Sequence, residues 1–99
     1  MKKSNKEIMM CPVCGEQKLK KYFDICQICG WVHDFVQLED PSYEDAANKL
    51  SLNESKEFFE LKRLQNSNYM WKEDAKNIGN PSKKDLELLR ETIKRNKLK

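Results

Sequence analysis

Two nearly interchangeable loops, Cys11-Pro12-Val13-Cys14-Gly15 and Cys26-Gln27-Ile28-Cys29-Gly30, constrain this chain more than anything else in it. Each separates two thiols by two residues and follows them with a glycine, and eleven residues lie between the pairs. This is the pattern of a closed four-thiolate metal site with Cys11, Cys14, Cys26 and Cys29 as ligands and zinc as its usual occupant. The two-residue gap lets one tight turn aim both sulfurs at the same point. The glycine can take a positive φ, which turns backbone N–H groups toward the sulfurs. Four thiolates fill a tetrahedral ion, so the expected role is one structural Zn2+ and no enzymatic activity.

Other uses of the cysteines fit less well. Iron takes the same four thiolates and is the lesser expectation. A redox pair in Cys-Pro-Val-Cys needs a strand and a helix of a βαβ unit around it, and the short spacer supplies neither. Two disulfides suit an exported chain, whereas the only apolar run near the N-terminus is Ile8-Met9-Met10, too short for a signal peptide. The chain is therefore expected in the cytoplasm, with no membrane span and no small-molecule substrate identified.

The rest of the composition agrees with a metal-stapled fold. Of the 99 residues, 38% are hydrophobic and 35% charged, which leaves little for a large core. Net charge is +3, and a divalent ion held by four thiolates brings it to about +1, too small to imply nucleic acid by itself. The charges are segregated: residues 1–33 carry +3, residues 34–60 carry −6 and residues 61–99 carry +6. An acidic middle between basic ends is either self-complementary or two faces for different partners.

The expected class is α+β, a small zinc-ribbon β module followed by two or three α-helices. Residues 1–7 read as a flexible basic arm, 8–40 as the ribbon, and 41–99 as a helical region packing on the ribbon or on a partner. Residues 18–23 and 31–38 have the aromatic and β-branched content of strands. Residues 43–49 suit a short helical turn after Pro41. Ser51 and Glu54 form a capping box, so a helix opens near Leu52 with Phe58, Leu61 and Leu64 along one face and runs to about Trp71 or beyond, weakened in the middle by Asn66-Ser67-Asn68. Gly79-Asn80-Pro81 breaks it, and Ser82 with Asp85 starts another whose Leu86, Leu89 and Ile93 share a side that packs on the first or on another protein.

Several residues invite a sharper reading than they receive. His33, the single histidine, is read as an ordinary strand residue rather than a ligand or base. Tyr22, Phe23, Trp31 and Phe35 are assigned to a miniature core rather than to a platform for bases. Lys83, Lys84, Arg90, Lys94 and Arg95, with Lys97 and Lys99, are candidate nucleic-acid contacts. Glu87 with Arg90 and Glu91 with Arg95 show that the same helix can be a solvated, self-paired face. A protein partner or self-association is the leading expectation for the helical region, with nucleic acid as the alternative.

The ordered anchors Cys11-Pro12-Val13-Cys14, Tyr22-Phe23-Asp24-Ile25-Cys26-Gln27-Ile28-Cys29-Gly30-Trp31, Gln37-Leu38-Glu39-Asp40-Pro41-Ser42-Tyr43 and Ala47-Asn48-Lys49-Leu50-Ser51-Leu52-Asn53-Glu54 resemble the bacterial cysteine-rich CPCC family. The resemblance covers residues 11–59 and leaves residues beyond Lys62 outside it. It implies a zinc-ribbon-like module with a helical continuation and no established activity. Two features depart from the family pattern: Val32-His33 stand where acidic residues usually follow the tryptophan, and Asp45-Ala46 where two glycines are usual. Among the anchors, Asn48 and Ser51 suit turn and cap roles, and Tyr22, Trp31, Leu38 and Leu52 suit packing of helix on ribbon. A ligand site near Trp31, Gln37 and Asp40 is the weaker reading.

Overall fold

A computed structural model describes residues 8–98. The basic arm at residues 1–7 and Lys99 lie outside the described residues. Strand β1 (Met9–Met10) pairs antiparallel with β2 (Lys18–Leu19), Met9 opposite Leu19 and Met10 opposite Lys18. Below this ladder the Cys11 N–H donates to Gln17 O at 2.7 Å and the Gly15 N–H to Cys11 O at 2.8 Å, closing the first cysteine loop. The second loop repeats the arrangement, with the Cys26 N–H on Trp31 O at 2.9 Å and the Gly30 N–H on Cys26 O at 2.8 Å. A single bridge, Ile25 with Val32, marks its ladder.

The expected strands at 18–23 and 31–38 are both cut short, each by an aspartate. Asp24 accepts the Lys20 and Lys21 N–H groups at 2.8 and 3.1 Å and turns the chain after Leu19. Asp34 stands in extended geometry and accepts the Val36 and Gln37 N–H groups, which caps helix α1 (Phe35–Glu39) where a strand was expected. Short acidic side chains offer the backbone this local alternative to a ladder, and here it prevails over β propensity.

Residues 43–49 form bends rather than a helical turn, with Asp45 at φ +57°. Gln37 organises them from the inside. Its side-chain nitrogen donates to Tyr43 O, Asn48 O and Leu50 O at 2.9, 3.1 and 3.1 Å. Its oxygen accepts the Asn48 N–H and side-chain amide at 3.2 and 2.9 Å. Asn48 in turn bridges both backbone groups of Val32, at 2.9 and 2.8 Å. Gln37 and Asn48 are buried, and their polar atoms are engaged within the protein, which leaves Gln37 no group for a ligand. Replacing Gln37 by leucine strands the carbonyls and the Asn48 amide in a dry interior. The expected loss is about 2 kcal/mol of stability by denaturant titration, while Asp40→Ala on the surface changes little.

Helix α2 (Leu52–Gln65) opens on the expected capping box, with Ser51 and Glu54 each accepting the other's backbone N–H. It ends earlier than expected. Asn66 closes it, accepting the Asn68 N–H on its side chain and the Tyr69 N–H on its carbonyl. A separate helix α3 (Trp71–Ile78) follows, stopped by Gly79. Helix α4 (Lys83–Leu98) starts after Ser82, whose hydroxyl and amide engage Asp85. The result is a two-stranded sheet followed by four helices among the described residues, an α+β fold.

Adjacent phenylalanines on α2 serve two cores. Phe59 joins Cys11, Leu19, Cys26, Cys29, Trp31 and Leu52 in a cluster between ribbon and helix. Phe58 joins Leu50, Leu86 and Leu89, with Leu61 and Ile93 against them, in a cluster between α2 and α4. The expected pairing of the two helices is present, but Leu64 is not in it and is 68% exposed. Tyr22, expected to pack the helix on the ribbon, lies on the surface instead.

Candidate metal centre

The two loops face each other and bring Cys11, Cys14, Cys26 and Cys29 together, all four sulfurs within 4.8 Å of one another. Two pairs meet across the loops, Cys11 with Cys29 at 3.5 Å and Cys14 with Cys26 at 3.6 Å. Sulfurs at about 2.3 Å from a tetrahedral zinc lie about 3.8 Å apart, so the donor set fits such an ion in type, number and spacing. All four are free thiols, three of them buried.

Backbone amides point at the sulfurs as expected. The Val13 N–H donates to Cys11 Sγ and the Glu16 N–H to Cys14 Sγ, both at 3.4 Å. Gly15 and Gly30 hold φ at +69° and +86°, the left-handed turns that make this approach geometrically open. Gln17 ties one loop to the other by accepting the Gln27 N–H at 2.9 Å.

Sulfurs this close cannot all ionise unaided. Hydrogen bonds with Cys11 and then Cys29 lower Cys14 to about 7 against an opposing one with Cys26, and hydrogen bonds with Cys11, Cys14 and Cys29 hold Cys26 well below the ordinary thiol range. Cys11 and Cys29 are pushed far above it, Cys11 by its hydrogen bond to Cys14 and Cys29 by its hydrogen bond to Cys11, with burial adding to both. Thiols that remain protonated must release protons to bind a metal, so affinity falls as pH falls. With Cys11 and Cys29 pushed up and therefore protonated before the ion arrives, a net number of protons leaves with each ion bound. Calorimetry of metal binding in buffers of different ionisation enthalpy measures that number.

The helical region grips both loops through contacts of Trp71, Lys72 and Arg63 that sequence reasoning did not name. At the N-terminus of α3 the Trp71 and Lys72 N–H groups donate to Ile28 O and Gln27 O at 2.8 and 2.9 Å. The Trp71 ring lies against Gly30, so close that a Cβ there would stand 2.6 Å from it, and its indole N–H donates to Gly79 O at 2.8 Å. Arg63 at the end of α2 reaches the first loop through a forked pair to Glu16 at 3.2 and 3.3 Å, lying over the Phe59 ring. The one sequence signal was Gly30 itself, which turn geometry alone had explained.

His33 is buried within the ribbon, its ring edge-on to Phe35 at 5.1 Å, and the cysteine cluster is complete without it. Beside Trp31 and Asn48 is a cavity of about 10 Å³, room for one water.

The candidate nucleic-acid contacts on α4 are largely engaged inside the molecule. Lys83 bridges Glu44 and Glu54 at 2.7 and 2.6 Å, Arg90 makes a forked pair with Glu57 at 2.8 Å, and Arg95 meets Glu91 at 3.7 Å. Lys84 and Lys94 are exposed and carry no ion pair among the described residues. The acidic middle thus faces the basic helix, and the charge segregation is in large part self-complementary.

A family model described as Cysteine-rich CPCC covers residues 9–85. It extends past Lys62, where the resemblance read from the sequence stopped, to the first turn of α4. No curated protein and no solved structure matches the chain significantly.

Proposed function

The chain belongs to the Cysteine-rich CPCC family, and we propose that it is a non-catalytic protein in which one structural zinc ion fixes the ribbon and the helical region docks on another protein chain. The observation that carries the metal half is the closed group of four sulfurs, which leaves a tetrahedral ion no position for substrate. Four thiolates of this geometry accept zinc or iron, and zinc is the reading taken because closed tetrathiolate sites of this spacing usually hold it. Free thiols in such a site suit a reducing compartment, here read as the cytoplasm. Among the described residues no helix is long and apolar enough to cross a membrane.

The docking half rests on apolar surface that the fold leaves uncovered. Between α2 and α4 runs an open groove of about 270 Å³ with Leu88, Ile78 and the edges of buried Phe58 and Leu89 along it and Lys62, Gln65, Asp85 and Thr92 at its rim. Leu88 is 59% exposed. Light scattering over a concentration series and co-purification from the native cell, each with metal analysis, test this reading. The expected result is association by the zinc-loaded chain that Leu88→Glu abolishes without changing zinc content. A strictly monomeric chain that captures nothing contradicts the docking half and leaves the metal half standing.

A further inference from the structure

Three aromatic rings stand together on the outside of the ribbon. Tyr22 lies nearly parallel to Phe23, centroids 4.2 Å apart at 15°, and to Phe35, 4.6 Å at 4°. One ring cannot stack two neighbours this closely on the same face, so the order is Phe23–Tyr22–Phe35 with Tyr22 in the middle. The Phe23 end is open: that residue is 59% exposed. Its φ is +71°, a conformation that bulky L-residues rarely adopt. The turn enforces it, through the Phe23 N–H on His33 O at 2.8 Å and the Asp24 carboxylate on the Lys20 and Lys21 amides. A backbone outlier that holds a phenyl ring in water points to use of that ring.

The same loop is positively charged. Lys18, Lys20 and Lys21 are exposed and have no ion pair among the described residues, unlike Lys83, Arg90 and Arg95. Of the carboxylates nearby, Glu16 pairs with Arg63, and Asp24 accepts the two backbone amides, which with the charge of Lys21 hold it below the usual carboxylate range. A stack with a free ring face beside unpaired lysines combines the two elements of a sequence-tolerant single-strand surface, a base-stacking platform and phosphate-seeking charge.

We propose that the Phe23–Tyr22–Phe35 stack binds single-stranded nucleic acid, an unpaired base continuing the stack on the outer face of Phe23 while Lys18, Lys20 and Lys21 follow the phosphates. A base within a duplex is already stacked on both sides, so single strands bind better than duplexes. The surface belongs to the ribbon and is independent of the α2–α4 groove.

Fluorescence anisotropy of the zinc-loaded full chain tests this with labelled single-stranded DNA and RNA of about ten nucleotides and with the corresponding duplex. The decisive variant is Phe23→Gly, because glycine suits the positive φ and the fold is retained or stabilised, which thermal melting verifies. The expected result is about a tenfold loss of single-strand affinity for Phe23→Gly. Charge reversal at Lys20 and Lys21 gives a loss that shrinks with added salt, and for three phosphate contacts log K falls against log salt with a slope of about −2. The pair Lys94→Glu and Arg95→Glu changes affinity less than about twofold. The DNA and RNA arms say which strand is preferred. Absence of binding to both at low salt, wild-type affinity in folded Phe23→Gly, or loss confined to the α4 variant overturns the proposal.

Discussion

Removing the metal with a strong chelator, or replacing Cys29 by serine, unfolds the ribbon and releases the helices that hold it. Metal binding in comparable four-ligand modules is worth on the order of 10 kcal/mol, as much as the whole stability of a small domain. Here the ligands are also core residues: Cys11, Cys26 and Cys29 pack with Leu19, Trp31, Leu52 and Phe59. Without a cation, four sulfurs crowded within 4.8 Å carry charge in an apolar surround, and Cys11 and Cys29 respond by staying protonated. The loss reaches α2 through Phe59 and Arg63 and α3 through Trp71, which reads out by fluorescence beside Gly30. Far-UV circular dichroism and tryptophan emission should change together on chelation and recover on adding zinc. Cys29→Ser should not recover at any zinc concentration. A chelated chain that keeps its spectra and its melting temperature would show that the ion is not what holds this fold.

The second large effect distinguishes two glycines that look alike in sequence. Gly15 and Gly30 each follow a cysteine pair and each have positive φ, so alanine strains both, by about 1–2 kcal/mol. Space separates them. Nothing lies within 4 Å of a Cβ at Gly15, whereas at Gly30 it would stand 2.6 to 2.8 Å from the Trp71 indole. Displacing that ring strains the α3 contact to the second cysteine loop and the indole hydrogen bond to Gly79, adding about 1–3 kcal/mol. Gly30→Ala is therefore expected to cost about 4 kcal/mol in denaturant titration of the zinc-loaded protein and Gly15→Ala about 1. Trp71→Ala combined with Gly30→Ala should cost less than the sum of the two alone. Equal costs at the two glycines would mean that α3 does not dock on the second cysteine loop.

What could be read from the sequence was what rests on local spacing. The doubled cysteine loop states its own geometry, and Ser51 with Glu54 and Ser82 with Asp85 mark helix starts because a cap uses only neighbours. The failures came where a local choice had two outcomes or a contact joined distant segments. Residues 31–38 have strand composition, yet Asp34 offers a cap and Gln37 needs the buried carbonyls of residues 43–50, so the chain turns into α1. Leu64 fits the helical stripe, but Phe59 takes the ribbon and Phe58 the second core, which leaves Leu64 outside. The sequence reading paired the basic helix only with its own Glu87 and Glu91, because Glu44, Glu54 and Glu57, which hold Lys83 and Arg90, are about thirty to forty residues away. Segregated charge sums hinted at the pairing without naming it. The grip of Arg63 and Trp71 on the cysteine loops left no periodic trace at all.

X-ray absorption at the metal edge of the purified, metal-loaded chain tests the central claim most directly. One zinc per chain surrounded by four sulfurs at about 2.3 Å, with no lighter neighbour, is the predicted result. A nitrogen or oxygen in the coordination sphere, or only two sulfurs, would contradict it and open the position that a saturated tetrahedron denies to a substrate.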